Sequence, residues 1–427
     1  MMSSTRTIAE RAIDSVWLKC ALILASLLFT LACAEGMGRL FYYIRWGGFY
    51  GPQPRQYSLR LGWEMAPGSY ESFHINEQGF RRPNQVSFHP PENTIRIFMV
   101  GGSTALGHQG VYRQFGPRPL SYEDTIDYHL QAMMHERHQG IRFEVINAGV
   151  TEYRLFQEIT LFREKLAYFR PHLVIFLDGH NDISFLTGGM SQTALPAPYW
   201  ANRHFRRGEN VLNQSGVVGP LHFLDVYLGR VSYFYHGLSA LFQRLQEFSD
   251  PIRGGRSGGW GKDPFRYADE KRIMATYRDQ LSGLEQALPL YLDQVRDLKA
   301  IASARQIKVL YALQPELVVE NPSHLTTKEV QIQEAAFRHH RDFGTLSWRF
   351  LSSRMTTSLT NLSDDQFQFV NLVTIAAYET QDVYTDYCHL TPKGNRVIAE
   401  KLYPWVVDLI GVEHLGPNDT INRDSRE

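Results

Sequence analysis

Short apolar runs alternate with amphipathic stretches through the middle of the chain. Three of the runs, at 95–101 (IRIFMVG), 143–147 (FEVIN) and 172–178 (HLVIFLD), have the length and the β-branched content of buried strands. The stretches between them, at 122–137 and 152–169, repeat their apolar positions with helical spacing. This strand–helix–strand–helix–strand order predicts an α/β domain with a parallel central sheet and right-handed crossovers.

The alternation stops after the third strand and resumes further along the chain. Residues 185–265 are irregular and rich in aromatic side chains, and a long helix is predicted at 277–304. Apolar runs at 307–315 and 369–378 predict a fourth and a fifth strand. A last helix is predicted to begin at HLTP, residues 389–392, because threonine can cap a helix and proline suits its first turn.

These elements divide the chain into a core and several additions. The core is expected to comprise 95–184 and 305–412, separated by a mostly helical insertion at 185–304. Residues 37–94 are predicted to form an extension of short strands and turns, because Gly, Pro and aromatic residues cluster there. The polar tail at 413–427 is expected to be disordered.

The N-terminus carries an apolar segment that could cross a membrane. Residues 16–36 are mostly apolar, and they nearly span a hydrocarbon core of roughly 30 Å if Lys19 extends to the interface. Arg6 and Arg11 precede the segment, which favours residues 1–15 in the cytoplasm and the rest of the chain outside it. We therefore expect a single-pass inner-membrane protein with its main domain in the periplasm.

Other interpretations of this segment stay open. ACA at 32–34 resembles a signal-peptidase site, and cleavage there would release a secreted protein. TLAC at 30–33 resembles a lipoprotein box with threonine where an aliphatic residue is expected. A buried core helix of a cytoplasmic protein would also have this length, although such a helix usually shows polar interruptions on one face.

Composition and charge exclude some classes of function. The 427 residues contain 44 Lys and Arg against 44 Asp and Glu, so the formal net charge of zero gives no reason to expect a nucleic acid as partner. Of the three cysteines, Cys20 and Cys33 lie in the apolar N-terminal segment and Cys388 stands apart. A disulfide framework and a cysteine-based zinc site are therefore excluded.

The stretch FMVGGSTALG at 98–107 combines a strand end, a glycine pair and a hydroxyl, which three chemistries could use. A phosphate-binding loop would need Lys and Ser or Thr where His108 and Gln109 stand. A dinucleotide-binding turn needs G-x-G-x-x-G, which this stretch lacks. The nucleophile elbow G-x-S-x-G fails because Ala105 replaces its last glycine. What remains is Ser103, placed between a parallel strand and a helix, where the active sites of such sheets lie.

Three further segments place chemistry at the same edge of the predicted sheet. The second predicted strand ends at NAG, which brings the backbone N–H of Gly149 there. The third ends at DGHND, which supplies the side-chain amide of Asn181. Near the C-terminus, DYCHLTPKGN places Asp386 three residues before His389 and just before a helix.

In this order the four blocks resemble the SGNH hydrolases, also called GDSL esterases and lipases. The first block of that family usually reads GDS and is altered to GGS at 101–103, and the second is carried by Gly149. The third block, G-x-N-D, is intact at 179–182, and the last, D-x-x-H, is intact as Asp386 and His389. The altered first block keeps the serine but lacks a usual supporting carboxylate.

The resemblance covers about 95–185 and 305–410 and does not extend to the insertion. It implies a flavodoxin-like, three-layer α/β/α fold around a parallel sheet. It also implies a serine esterase that hydrolyses or transfers O-acyl groups, with no cofactor and no metal. A tether at the membrane favours an acylated carbohydrate or lipid of the cell envelope, with a short acyl or acetyl group, as the substrate.

Ester cleavage gives each of these residues a role. A serine hydroxyl needs a base to become a nucleophile, and His389 can take the proton of Ser103 and return it. Asp386 is expected to orient the imidazole and to stabilise its charged form. The backbone N–H groups of Ser103 and Gly149 and the amide of Asn181 are expected to form the oxyanion hole.

Several alternatives stay open. His108 and Arg154 lie near strand ends and could contact substrate, although such residues are also common on loop surfaces. DGHND is similar in composition to the metal-binding turns of metallophosphoesterases, which would need further Asp or His ligands at the first strand end. The altered first block also leaves open a catalytically degenerate scaffold that acts as a membrane-tethered assembly factor.

Overall fold

The computed structural model describes most of the chain, and the chain divides into two compact units. One unit comprises Met1–Pro54 and Val211–Trp260, and the other comprises Arg55–Asn210 and Gly261–Glu427. The described residues are 8–46, 55–58, 60–70, 73–108, 120–187, 232, 234, 235, 238, 278–377 and 379–412.

In the first unit, the described residues form mainly one long helix, α1 (Ile8–Trp46). Among the residues that the structure describes, its segment Val16–Leu40 is the one that is long and apolar enough to cross a membrane. Length and composition alone identify it, and a cleavable signal sequence would meet the same criteria. Glu35 of this helix accepts hydrogen bonds from Ser232 Oγ (2.7 Å) and from the backbone N–H of Phe234 (3.2 Å).

The second unit begins with two small antiparallel hairpins. Strand β1 (Arg55–Ser58) pairs with β2 (Gly62–Met65), and β3 (Gly68–Tyr70) pairs with β4 (Phe73–Ile75). The indole of Trp63 is buried in the apolar core of the unit, so the hairpins pack against the main domain.

Five parallel strands form the central sheet: β5 (Thr94–Gly101), β6 (Arg142–Asn147), β7 (Leu173–Asp178), β8 (Lys308–Leu313) and β9 (Phe367–Asn371). They are hydrogen-bonded in the order β6-β5-β7-β8-β9. Counted from β5, this is the flavodoxin-like order 2-1-3-4-5. The parallel sheet and its strand order confirm the predicted fold class.

The side chains of the central strand β5 alternate between two apolar clusters, one on each face of the sheet. Phe98 and Val100 belong to one cluster, and Ile95, Ile97 and Met99 belong to the other. All residues of this strand are buried. A strand covered on both faces needs apolar side chains in both directions, which explains the continuous apolar run at 97–100.

The helices of the second unit connect the strands and cover both faces of the sheet. In the described part of this unit they are α2 (Ser103–Leu106), α3 (Ile126–Arg137), α4 (Leu155–Glu164), α5 (His180–Thr187), α6 (Arg278–Ala304), α7 (Thr327–Thr360) and α8 (Pro392–Ile410), with 3-10 turns at Tyr122–Asp124, Leu166–Phe169, Leu317–Val319 and Pro322–His324. Helices α3 and α8 contribute to the apolar cluster on one face, and α4, α6 and α7 contribute to the cluster on the other. The unit therefore has three layers.

Some boundaries differ from the sequence prediction. The predicted extension at 37–94 starts as helix, because α1 continues to Trp46, and its strands begin at Arg55. The predicted insertion at 185–304 ends in α6, whose Val295 is buried against the sheet, so this part belongs to the core. Helix α7 has no counterpart in the sequence prediction.

The last helix agrees with the prediction, whereas two other expectations lie outside the described residues. Thr391 Oγ1 accepts the N–H of Gly394 (3.0 Å), and Pro392 is the first residue of α8. Apart from four residues, 188–277 of the predicted insertion lie outside the described part of the chain, as does the tail at 413–427.

Candidate active site

The two central strands end at the candidate nucleophile and at one candidate oxyanion donor. The strand order reverses between β5 and β7, and ligands of open α/β sheets bind beyond the carboxyl ends of the strands at such a point. Ser103 begins α2 directly after β5, and Asn181 lies in the first turn of α5 directly after β7. The fold therefore places both residues at the edge where chemistry is expected.

Ser103, His389 and Asp386 form a continuous chain of hydrogen bonds. Oγ of Ser103 lies 2.8 Å from Nε2 of His389, and Nδ1 of the same ring lies 2.9 Å and 2.8 Å from the two carboxylate oxygens of Asp386. Asp386 is fully buried and His389 is nearly so. A hydroxyl, a base and an orienting carboxylate in this order are the arrangement that activates a serine.

A tight turn allows Asp386 to fold back onto its own histidine. Oδ1 of Asp386 also accepts the backbone N–H groups of Cys388 (3.0 Å) and His389 (2.9 Å). Burial acts to raise the pKa of Asp386, but the charge of His389 and these hydrogen bonds outweigh it and lower the pKa below its usual range. The carboxylate is therefore ionised at neutral pH and can orient the imidazole.

The nucleophile turn, residues 101–107, is built by close backbone packing. Gly101 lies against the carbonyl of Leu177 so closely that no side chain fits there. A Cβ on Gly102 would lie 2.5 Å from Nδ2 of Asn181. The amide of Asn181 thus occupies the space beside Gly102.

The predicted oxyanion donors differ in the hydrogen bonds that they already make. Nδ2 of Asn181 donates to the carbonyl of Tyr153 (2.7 Å), and a primary amide has a second hydrogen that can bind another acceptor. The N–H of Gly149 donates to Oδ1 of Asn147 (3.0 Å), and a Cβ there would lie 2.5 Å from the backbone nitrogen of Leu106. Close backbone approach therefore requires this glycine, and its N–H already has an acceptor.

Arg81 of the extension holds the end of the nucleophile turn, a contact that the sequence analysis missed. Its buried guanidinium donates to the carbonyls of Leu106 and Gly107 (2.9 Å) on one side, and of Leu120 (2.9 Å) and Ser121 (3.4 Å) on the other. Burial lowers the pKa of Arg81 to about 10, so the group stays protonated at neutral pH. One cation thus fixes four carbonyls around the segment that carries the serine.

Two buried glutamates hold the segment 375–391, named here the acid–base loop. Glu329 is the third residue of α7 and forms a capping box with Thr326 at the start of that helix. Glu320 follows a 3-10 turn after β8. Together the two carboxylates accept, at 2.5–3.0 Å, the backbone N–H groups of Ile375, Ala376, Val383 and Tyr384.

Two more hydrogen bonds fix the acid–base loop next to Ser103. The N–H of Leu317 donates to the carbonyl of Tyr387 (2.8 Å), and Thr104 Oγ1 donates to the carbonyl of Cys388 (3.1 Å). Thr104 directly follows Ser103, so the second bond joins the nucleophile turn to the loop that carries the base.

The two weaker candidates for substrate contact lie in different environments. His108 is exposed, and its ring centroid lies 5.6 Å from that of His389, so it stands beside the candidate base. Arg154 is only 5% exposed, and its guanidinium lies 5.0 Å from the ring of Phe156. Burial lowers the pKa of Arg154, whereas the charge of Asp182 raises it. Arg154 therefore lies in the interior, within electrostatic reach of Asp182 and Asp178, and its contact with substrate stays a prediction.

Within the described residues, Asp386, Cys388 and His389 are the group whose ligand atoms, all within 4.8 Å of one another, could hold a metal ion. Two of these side chains are already bonded to each other. Burial, and then the charge of Asp386, raise the pKa of the Cys388 thiol well above its usual range, which disfavours the thiolate that metals bind. Asp182 of the DGHND turn accepts the N–H of Leu155 (2.9 Å). These contacts favour acid–base chemistry over a metal site.

Comparison with known proteins gave matches among solved structures only: no protein-family model and no curated protein matches the sequence. The chain is similar to an inhibitor-bound aryl esterase from M. smegmatis, with 14% identity, 74% of this chain and 99% of that chain covered, and a TM-score of 0.33. A carbohydrate acetylesterase from Sinorhizobium meliloti gives 14% identity and a TM-score of 0.35, with 74% of this chain and 99% of that chain covered. A lipolytic protein of the G-D-S-L family from Desulfitobacterium hafniense DCB-2 gives 10% identity and a TM-score of 0.32, with 72% of this chain and 98% of that chain covered.

The strand order of the sheet and the order of the four blocks along it are properties of this chain itself. Ser103 follows β5, Gly149 follows β6, Asn181 follows β7, and Asp386 and His389 precede α8. In both respects the chain is similar to the SGNH hydrolases, the GDSL esterases and lipases.

Proposed function

We propose that the protein is a serine ester hydrolase of the SGNH type, with Ser103 as nucleophile, His389 as general base and Asp386 as the acid that orients it. One observation carries the proposal: the unbroken chain from Ser103 Oγ through both ring nitrogens of His389 to Asp386, with 2.8 Å at each step. The ionised state of the buried Asp386 supports the same assignment, because it favours a charged imidazolium during the reaction.

The proposed reaction has two halves. Ser103 Oγ attacks the ester carbonyl carbon while Nε2 of His389 takes the hydroxyl proton. The bond to the leaving alcohol then breaks, His389 gives its proton to the alcohol oxygen, and an acyl-enzyme remains. Water or another hydroxyl attacks this acyl group with His389 again as base, and the product acid or ester leaves as Ser103 recovers its proton.

Negative charge on the carbonyl oxygen needs donors at the same edge of the sheet. The N–H of Ser103 at the start of α2 and the amide of Asn181 are the donors that we propose, because Nδ2 of Asn181 lies beside Gly102. Gly149 could join them only by giving up its bond to Asn147. Loss of one such donor typically lowers turnover by about 10²–10³.

Substitution of the nucleophile and the base tests the proposal. Ser103→Ala and His389→Ala should each abolish turnover of a small aryl acetate and leave the thermal midpoint nearly unchanged. Asn181→Ala should lower turnover by about 10²–10³. A fluorophosphonate probe should label the wild-type protein and Ser323→Ala, an exposed control serine, but not Ser103→Ala.

Three outcomes would contradict the proposal. Turnover retained in Ser103→Ala or His389→Ala would remove that residue from the mechanism. No labelling of a folded wild-type protein would favour a degenerate scaffold that acts as an assembly factor. A metal-stimulated activity that a chelator abolishes would favour a metallophosphoesterase.

The acyl group and its carrier form the finer part of the proposal. We propose that the substrate is a short acyl or acetyl ester of an envelope glycan or lipid, since Val16–Leu40 would hold the protein at a membrane. In this arrangement the helix is an inner-membrane anchor and the catalytic domain lies in the periplasm. A series of aryl esters of increasing chain length, followed by acetate release from isolated envelope glycans, tests the substrate class. A preference for long acyl chains would overturn the proposed substrate class. A mature protein that starts after residue 34 would overturn the proposed inner-membrane anchor.

A further inference from the structure

A second acid–base pair, His180 and Glu316, lies within electrostatic reach of Asp386 and His389 and has no role in the reaction described above. Oε2 of Glu316 lies 2.7 Å from Nδ1 of His180. Glu316 is 1% exposed and follows β8, and His180 is 8% exposed and is the first residue of α5. Two buried titratable groups stabilise a fold less than apolar side chains of the same volume often would. Stability of the fold therefore does not by itself account for the pair.

The ring of His180 lies between two aromatic side chains. Trp348 of α7 stacks on it with a centroid distance of 5.5 Å and an interplanar angle of 19°. Tyr387 stacks on it at 5.1 Å and 27°. Tyr387 follows Asp386 in the acid–base loop, and His180 precedes Asn181. One stacking contact therefore connects the element that carries the proposed oxyanion donor to the loop that carries the acid and the base.

The charges around the pair indicate where its proton lies. Burial lowers the pKa of His180 to about 3, and the charge of His389 adds to this effect. Burial, and then the negative charge of Asp386, raise the pKa of Glu316 well above its usual range. The neutral carboxyl of Glu316 then donates its proton to Nδ1 of His180. Among the described residues, the charge of Asp178 also acts on His180, and Glu316 in turn acts on Cys388 and Tyr384.

A neutral pair matters because of what lies beside it. An ionised Glu316 would place a second buried negative charge next to Asp386. A single hydrogen bond in this environment lets the pair fix the orientation of the ring of His180 without adding net charge to the site.

We propose that His180 and Glu316 are positioning residues, which hold Tyr387 against the start of α5 and so fix the Asp386–His389 turn relative to the amide of Asn181. The inference rests on the proposed serine esterase function. Correct distances between the base and the oxyanion donor matter in the transition state, whereas the substrate binds in the ground state through other contacts. Loss of the pair should therefore lower kcat and leave KM nearly unchanged.

Four variants of the full chain test this. Glu316→Leu and His180→Phe should each lower kcat for an aryl acetate by about 10- to 100-fold, with KM within about threefold of the wild type. His180→Phe keeps an aromatic ring in the stack but removes the hydrogen bond to Glu316. Glu316→Gln should retain kcat within about threefold, because its amide can donate to Nδ1 as the neutral carboxyl does. The double variant should be no slower than the slower single variant, since both remove one interaction.

Tyr403→Phe is the matched control, because it removes a hydrogen bond to another histidine, His138 (2.8 Å), away from the site. It should leave kcat unchanged. The inference would be overturned by near-wild-type kcat in both Glu316→Leu and His180→Phe, by equal changes in kcat and KM, or by a Glu316→Gln variant as slow as Glu316→Leu. Should Glu316→Leu not fold, His180→Phe and Glu316→Gln still decide the question.

Labelling by a fluorophosphonate separates this inference from the function on which it rests. A wild-type protein that is not labelled at Ser103 contradicts the proposed function. A wild-type protein that is labelled, together with His180→Phe labelled at the same rate, contradicts only the positioning role. The expected result is a labelling rate that falls in His180→Phe by about the same factor as kcat.

Discussion

Two groups of buried carboxylates lie near the candidate active site, and they differ in the hydrogen-bond donors that they meet. The loop-holding carboxylates, Glu320 and Glu329, each accept two backbone N–H groups of the acid–base loop. The core carboxylates, Asp178, Asp182 and Glu158, instead lie within electrostatic reach of one another next to Asn181.

The donors are unevenly shared among the core carboxylates, and the backbone N–H of Gly179 and a hydrogen bond between Asp178 and Asp182 add to those of Asp178. Asp178 Oδ2 accepts the hydroxyls of Tyr291 (3.1 Å) and Tyr311 (2.8 Å), and Asp182 accepts one backbone N–H (2.9 Å). Among the described residues, neither carboxylate oxygen of Glu158 has a hydrogen-bond partner. Burial, and then the charges of Asp178 and Asp182, raise the pKa of Glu158 well above its usual range.

The difference shows that burial alone does not decide what a carboxylate contributes. Where the backbone supplies fixed donors, a buried carboxylate holds a loop in place through charge-assisted hydrogen bonds. Where carboxylates face one another, burial and repulsion disfavour their charged forms. We therefore expect the loop-holding group to stabilise the fold at neutral pH and the core group to destabilise it there.

The largest expected effect follows from removal of a loop-holding carboxylate. Glu329→Ala should lower the free energy of unfolding at pH 7 by about 3 kcal/mol or more, because three backbone N–H groups, those of Val383, Tyr384 and Thr326, lose their acceptor. Turnover should fall as well, since Asp386 and His389 follow in the same loop. Chemical denaturation and aryl acetate turnover measure the two effects.

An exposed glutamate provides the control for this prediction. Glu400 pairs with Arg396 (3.0 Å) on the surface of α8, and Glu400→Ala should cost about 0.5 kcal/mol or less. Equal losses of stability in Glu329→Ala and Glu400→Ala would show that Glu329 does not hold the loop.

A smaller effect is expected where a core carboxylate loses one donor. Tyr311→Phe removes the hydroxyl that lies 2.8 Å from Asp178, and it should lower the free energy of unfolding by about 1.5 kcal/mol at pH 8. Burial already raises the pKa of Asp178, and the bond from Tyr311 opposes that shift, so the loss should be smaller at pH 5.

Tyr384→Phe is the matched substitution in the loop-holding group, because Tyr384 donates to Glu320 (2.9 Å). Glu320 keeps the backbone N–H groups of Ile375 and Ala376 as donors, so we expect the same loss at both pH values. A loss that grows with pH in Tyr384→Phe, or that is constant in Tyr311→Phe, would break the distinction between the two groups.

Sequence reasoning was sufficient where a residue's place in the fold follows from its position along a strand. Ser103 and Asn181 follow apolar runs that could be recognised as parallel strands, and the ends of such strands meet at one edge. The spacing of Asp386 and His389 is local, so their hydrogen bond could also be expected from the sequence. The helix cap at Thr391 belongs to the same class.

Contacts between distant segments could not be predicted in this way. Arg81 lies in the extension, and only the fold shows that it binds the carbonyls after Ser103. Gly149 was predicted from its strand end, but the bond of its N–H to Asn147 depends on the conformation of the turn. The burial of Arg154 could not be seen from its loop position, and its contact with substrate stays a prediction.

Some signals were present in the sequence but were not used. Thr326 and Glu329 have the spacing of a capping box, which marks the start of the unpredicted helix α7. That helix supplies both Trp348 and the carboxylate of Glu329 to the surroundings of the site. A capping box between two predicted strands therefore indicates that a helix starts there.

The smallest expected effect has the opposite sign and concerns Glu158. The pKa of this carboxyl in the folded state is raised above its unfolded value of about 4.3. A carboxyl with a raised pKa contributes stability that is fully present below the unfolded pKa and is lost as the pH rises towards the folded pKa. In Glu158→Gln the side chain at this position does not titrate. The difference in stability between variant and wild type should therefore grow with pH.

We expect the two proteins to have similar free energies of unfolding at pH 4.5, and Glu158→Gln to be more stable by about 1 kcal/mol at pH 8.5, since one pKa unit corresponds to about 1.4 kcal/mol. Glu136→Gln makes the same change at an exposed position of α3 and should leave the pH dependence as it is in the wild type. A wild-type protein that is more stable than Glu158→Gln at pH 8.5 would mean that Glu158 has a cationic or hydrogen-bonded partner. The core carboxylates would then stabilise the fold in the same way as Glu320 and Glu329.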